Sequence, residues 1–151
     1  MRYWLDCEFN GFGGQLLSLA LVREDGHSLY IVYDVIQELD PWVKKNVMPI
    51  LRCEMHKGVK MQLASLLDNR GAYMIQEFFG DDPCPVVTTD WPDDIKYLCQ
   101  AMITGPGEMI SVPRIIFDMV RVDAYPTKLP GAVQHNAYWD AAALKYLFEN
   151  V

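Results

Sequence analysis

Asp6 and Glu8 stand one residue apart inside the apolar run Tyr3-Trp4-Leu5 to Phe9, and theirs is the only D-x-E in the chain. On a strand successive side chains alternate between faces, so both acids project together while Cys7 points the other way. Two carboxylates at that spacing repel each other unless a cation lies between them, and their apolar setting makes a solvated edge hard to defend. The only H-x4-D, His135 and Asp140, comes near the other end. Asp140 falls in the first turn of a closing helix, and His135 sits on the approach, where a near-neutral imidazole could accept a proton. Asp90, Asp93 and Asp94 are the candidates for a middle acid; Asp94 is preferred because the helical run Ile95-Lys96-Tyr97-Leu98-Cys99 follows it directly. Asp90 and Asp93 read as turn or capping residues.

The elements that must carry these residues begin with three β-rich runs, Arg2 to Glu8, Gln15 to Val22 and Ser28 to Tyr33. The turn signals Gly11-Phe12-Gly13-Gly14 and Glu24-Asp25-Gly26 separate them, which predicts an antiparallel meander. Asp40 is placed as an N-cap with Pro41 at the first helical position, and Trp42, Val43, Val47 and Met48 recur at helical spacing up to Pro49. A second helical region is expected from Val59 to Phe79, interrupted at Asn69-Arg70-Gly71. A short strand from Pro85 to Thr89, a helix from Ile95 to Ile103 and a strand from Arg114 to Val120 follow. A proline-rich loop then runs from Tyr125 to Gly131. The closing helix spans Tyr138 to Glu149, with Ala141, Leu144, Leu147 and Phe148 as its expected buried stripe. This order predicts an α/β fold, a mixed central sheet that opens with three antiparallel strands and is flanked by helices.

Leu5-Asp6-Cys7-Glu8-Phe9, the mid-chain Asp94 and His135-Asn136-Ala137-Tyr138-Trp139-Asp140-Ala141 resemble the three exonuclease motifs of the DEDDh superfamily. The segment from Asp40 to Pro49 and the stretch from Asp94 to Gln100 are similar to the compact bacterial exoribonucleases within it. The resemblance implies a ribonuclease-H-like fold and one exonuclease domain over residues 1–151. It implies that Asp6, Glu8 and Asp140 hold one divalent cation, that Asp6 also contacts a second supported by Asp94, and that His135 is the general base. Oxygen ligands suit two Mg²⁺ or Mn²⁺ ions better than zinc. Related enzymes stack the terminal base and contact the ribose just after the first motif, which makes Phe9, Phe12 and Gly11 the candidate substrate-binding residues. The implied activity is 3′-to-5′ hydrolysis of single-stranded RNA or 3′ overhangs to nucleoside 5′-monophosphates. The same chemistry on DNA, a two-metal hydrolase of small nucleotides and a non-catalytic interaction domain are the competing readings. Many exonucleases of this group pair into homodimers, a contact that exposed aromatics such as Trp91 or Tyr125 could serve.

Composition bounds these readings. A chain of 151 residues, 51% hydrophobic and 22% charged, suits one globular core, and its nine prolines and ten glycines are not periodic. Two acids within the first eight residues interrupt any secretory apolar run, and no membrane span is visible, so the expectation is a cytoplasmic protein. Cys7, Cys53, Cys84 and Cys99 show no metal-site spacing and are expected to be free thiols. A net charge of −7 disfavours nucleic-acid binding by a basic face alone, and is less of an obstacle where bound cations supply positive charge locally.

Overall fold

The structure is a computed structural model describing residues 1–56, 58–122 and 129–150. Its frame is a six-stranded mixed sheet. The opening meander is β1 (Arg2–Phe9), β2 (Leu16–Arg23) and β3 (Ser28–Tyr33), all antiparallel neighbours. β4 (Met61–Ala64) adds to the far edge parallel to β3, while β5 (Val86–Thr89) and β8 (Ile116–Met119) extend the other edge in parallel. The helices are α1 (Pro41–Asn46), α2 (Arg70–Phe79), α3 (Pro92–Ala101) and α4 (Ala137–Glu149); β6 (Ile103–Gly105) and β7 (Glu108–Met109) form a small separate hairpin.

Strand alternation divides the core between the two faces of the sheet. Tyr3, Leu5 and Cys7 pack with Ala72, Ile75, Tyr97 and Leu98 of α2 and α3. Leu17, Ala20, Tyr30 and Val32 pack with Val43 and Val47 and with the first turns of α4. By the period-two rule Asp6 and Glu8 share the second face, beneath α4.

Several local expectations are corrected. Residues from Val59 to Asp68 are not helical: Met61–Ala64 pairs with β3, whose outer edge would otherwise leave its backbone groups unpaired, and α2 starts only at Arg70. α3 begins earlier than Ile95, with Pro92 at its start and Asp93 and Asp94 in its first turn, because proline's fixed φ and missing N–H suit that position. Of the apolar residues at helical spacing around α1, Val43 and Val47 are buried and Trp42 is exposed. In α4 the buried side is Ala137 to Trp139 and Ala141 to Leu144, whereas Phe148 is exposed, set edge-on to Trp4 at 6.0 Å. The expected loop from Tyr125 to Lys128 lies outside the described residues. All four cysteines are free thiols. Among the described residues no helix is long and apolar enough to cross a membrane.

Candidate active site

β5 pairs with β1 only from Arg2 to Trp4, so further along β1 its backbone loses a strand partner on that side. Asp94 takes over there: its Oδ1 accepts from Cys7 N at 3.2 Å and its Oδ2 from Thr89 Oγ1 at 2.8 Å. The carboxylate is 1% exposed and ties the start of α3 to the middle of β1. A register shift between Glu8 and Phe9 ends the regular ladder beside the acids, as bulges do near sites.

From the other side α4 is latched down by Asn136. Its buried amide caps the helix by accepting from Trp139 N at 3.2 Å, and donates to Tyr30 Oη at 3.1 Å and to Ile50 O at 3.0 Å. Asp140 sits one turn into α4, where Oδ2 accepts from His135 N at 3.0 Å. His135 adopts φ +64°, a left-handed conformation uncommon outside glycine, and that bend turns its backbone N–H back onto Asp140. Asn136→Ala is therefore expected to lower stability by about 2–3 kcal/mol, because it removes the cap of α4 and the buried amide's hydrogen bonds to Tyr30 Oη and Ile50 O together. Thermal unfolding measures the loss; a melting temperature within 2 °C of the parent, roughly the effect of under 1 kcal/mol, would contradict the latch.

These supports bring the acids into two groups with one common member. Candidate ligand oxygens of Asp6, Glu8 and Asp140 lie within 4.8 Å of one another, and so do those of Asp6, Asp90 and Asp94. Asp94, the preferred middle acid, is thus at the site, and Asp90 joins it. Asp93 instead accepts from Trp91 Nε1 at 3.1 Å. Asp90 had a discernible signal in the sequence, since it follows directly on a strand, and the carboxyl end of a parallel strand is where α/β sheets build sites.

The acids are far from their ordinary chemistry. Burial, then the charges of Asp94, Asp140 and Glu8, pushes Asp6 well above the usual carboxylate range. Burial, then the charges of Asp140 and Asp94, does the same to Glu8. Burial pushes Asp94 up to about 8, although the Thr89 hydroxyl opposes the shift, and Asp140 up to about 7. Asp6 Oδ2 and Asp140 Oδ1 are buried and have no hydrogen-bond partner among the described residues. Clustered carboxylates with orphaned oxygens fit a hard divalent cation such as Mg²⁺ or Mn²⁺, which would supply the missing partner and cancel the repulsion.

Asp6, Glu8 and Asp94 form one wall of a cleft of about 730 Å³ that Phe9, Gly11, Phe12, Trp42, Trp91 and His135 also line. Phe12, at the tip of the glycine turn, is 97% exposed, Trp42 54% and Trp91 47%. Phe9 is partly buried and stacks on Tyr97 at 4.7 Å, so its outward contribution is one edge of the cleft. Gly11, at φ +70°, makes the turn that presents Phe12. A Cβ on Gly14 would meet Asn10 O at 1.8 Å, so the turn closes only with glycine there. Asn10 fastens the turn to the next wall, its Oδ1 accepting from Asp40 N at 2.7 Å, while Asp40 Oδ1 caps α1 through Trp42 N at 2.9 Å. Trp42 in turn stands edge-on to His135 at 5.1 Å. Sequence reasoning missed Trp42 and Trp91 as cleft residues; their contribution depends on helix placement, which an apolar pattern does not reveal.

His135, Asp6, Glu8, Asp94, Phe9, Phe12 and Gly11 therefore all line this one cleft, and Asp140 is tied to it by its carboxylate oxygens beside those of Asp6 and Glu8. Comparison with known proteins leaves the reading to this geometry, since no protein-family model matches the chain and no curated protein sequence matches it.

Proposed function

We propose that the protein is a metal-dependent 3′-to-5′ exoribonuclease of the DEDDh type, acting on single-stranded RNA or 3′ overhangs. The observation that carries this reading is the sharing of Asp6 between two acid groups, one joined to His135 through Asp140 and the other including Asp90 and Asp94. The antiparallel β1 to β3 followed by parallel β5 and β8 supports a ribonuclease-H-like fold. Asp6, Glu8 and Asp140 would hold one Mg²⁺ or Mn²⁺, and Asp6 with Asp90 and Asp94 a second. Such a pair of ions supplies charge stabilisation at the attacking and leaving oxygens of an in-line displacement.

The chain's own residues do the rest. The His135 imidazole accepts the proton of the attacking water as the new P–O bond forms. The P–O3′ bond breaks in the same displacement and the leaving 3′ oxygen takes a proton from solvent water, releasing a nucleoside 5′-monophosphate and leaving a 3′-hydroxyl on the shortened strand. Phe12 and Trp42 offer exposed aromatic faces on which any base can stack, which suits an enzyme that must not stall on sequence. His135→Gly is expected to lower kcat by about 10²–10³-fold while preserving or raising stability, because glycine adopts φ +64° freely. Unchanged kcat would remove His135 from the mechanism.

Release of mononucleotides from matched RNA and DNA oligomers with 3′ overhangs in Mg²⁺ tests the activity. Absence of products from both overturns the exonuclease reading, and equal rates overturn the RNA preference. A cytoplasmic location and pairing into a homodimer belong to the same proposal, the second checked by sedimentation.

A further inference from the structure

Arg121 follows the edge strand β8 in a chain whose net charge is −7, and its guanidinium is held in place. It lies over the Trp91 ring at 5.0 Å from the centroid, and its Nη1 donates to Asp90 O at 2.8 Å. Trp91 is itself fixed by its indole N–H, donated to Asp93, and by its backbone N–H, donated to Thr89 Oγ1 at 3.3 Å. An exposed arginine ordinarily samples many rotamers. Stacking on a fixed indole and bonding to a backbone carbonyl hold this one with most of its five N–H donors still available. Among the described residues it forms no ion pair.

Its position relative to His135 gives that cation a direction. The His135 backbone N–H is bonded to Asp140 of the Asp6, Glu8, Asp140 group. Arg121 is bonded to the backbone carbonyl of Asp90 in the Asp6, Asp90, Asp94 group and stacks on Trp91 of the cleft wall, with Asp6 common to both groups. An in-line displacement puts the attacking and leaving oxygens on opposite sides of phosphorus. With the base at one end, the leaving O3′ and the strand attached to it lie at the other.

We infer that Arg121, backed by Trp91, is a substrate-binding residue for a phosphodiester of the retained strand, on the 5′ side of the scissile bond. The inference rests on the exonuclease reading and deepens it: the preferred substrate is a strand that carries at least one phosphate beyond the bond being cut. The planar fork of arginine suits two phosphate oxygens at once, and the aromatic backing keeps it facing the strand as successive nucleotides arrive.

The test compares parent, Arg121→Ala and Arg121→Lys on two substrates over a salt series in Mg²⁺. One is a single-stranded RNA hexamer. The other is the p-nitrophenyl ester of a nucleoside 5′-monophosphate, which has a scissile bond but no retained strand. Arg121→Ala is expected to lower kcat/KM on the hexamer by about 10–100-fold and to make the log–log salt slope shallower by about 0.7–1. Its kcat/KM on the ester stays within about 2-fold of the parent. Arg121→Lys restores the salt slope but only part of kcat/KM, since lysine keeps the charge and loses the fork. Equal losses on both substrates, or none on the hexamer, overturn the role of Arg121 while leaving the exonuclease reading intact. A parent protein that cleaves the ester alone overturns the inference, and one that cleaves neither overturns the inference and the exonuclease reading together.

Discussion

Asp6→Asn is expected to reduce RNA hydrolysis by at least about 10³-fold, the largest loss of any single substitution, while raising the melting temperature of the metal-free protein near pH 8. Both effects come from its place in the two acid groups, and from an Oδ2 that is buried without a hydrogen-bond partner among the described residues. Asparagine is nearly isosteric but offers one neutral oxygen, so neither group keeps the charge that a divalent cation requires. The same change removes a carboxyl whose ionised form is disfavoured by burial and then by the charges of Asp94, Asp140 and Glu8, hence the gain in stability. Asp90→Asn, which touches only one group, is expected to lose less, about 10²-fold. Initial rates on an RNA oligomer and a thermal melt of each variant provide the comparison. If Asp6→Asn keeps activity within tenfold of the parent, or falls no further than Asp90→Asn, the shared-ligand arrangement is wrong.

The second large effect is on stability as a function of pH. Unfolded, an aspartate titrates near 3.8, whereas in the folded chain burial lifts Asp94 to about 8 and Asp140 to about 7. The folded protein therefore binds these protons more tightly than the unfolded one. Their stabilising contribution is complete below about pH 4 and is lost as pH rises through 7 and 8. Metal-free protein is thus expected to melt lower at pH 8.5 than at pH 5.5, by on the order of 5–10 °C if a few kcal/mol are lost in a domain of this size. Divalent cations reverse the trend, because they bind the deprotonated oxygens and compete with protons. Mn²⁺ should raise the melting temperature strongly at pH 8.5 and little at pH 5.5. A metal-free melting temperature that is flat or rising over this range, or a Mn²⁺ shift that is the same at both pH values, would show that the acids are not held as a repelling cluster.

The candidate site was legible in unequal parts. Asp6 and Glu8 announced themselves because alternation on a strand is a local rule: residue spacing alone puts both on one face. Asp140 and His135 were legible for a similar reason, one in a helix's first turn and the other just before it. Asp94 against Asp90 could not be separated that way. The choice depends on where β5 stops pairing with β1, which leaves Cys7 N–H for Asp94 and draws Asp90 to Asp6 from the strand end. The exposure of Trp42 was not legible, because helical spacing groups it with Val43 and Val47 without saying how far around the helix the core extends.

By itself the sequence determined the three opening strands, the turn glycines, the cap of α1 and the presence of an acid pair that must share a face. These follow from propensities and periodicities that act within a few residues. Tertiary structure alone decided that residues Met61–Ala64 would be a strand, since a short apolar segment takes the conformation that an open sheet edge offers. It also decided that Asp6 would belong to two groups of acids, that Trp91 would carry Arg121, and that Glu8, Asp90, Asp94 and Asp140 would all converge on Asp6. Each of those depends on distances between residues far apart in the chain, which packing sets and local spacing does not.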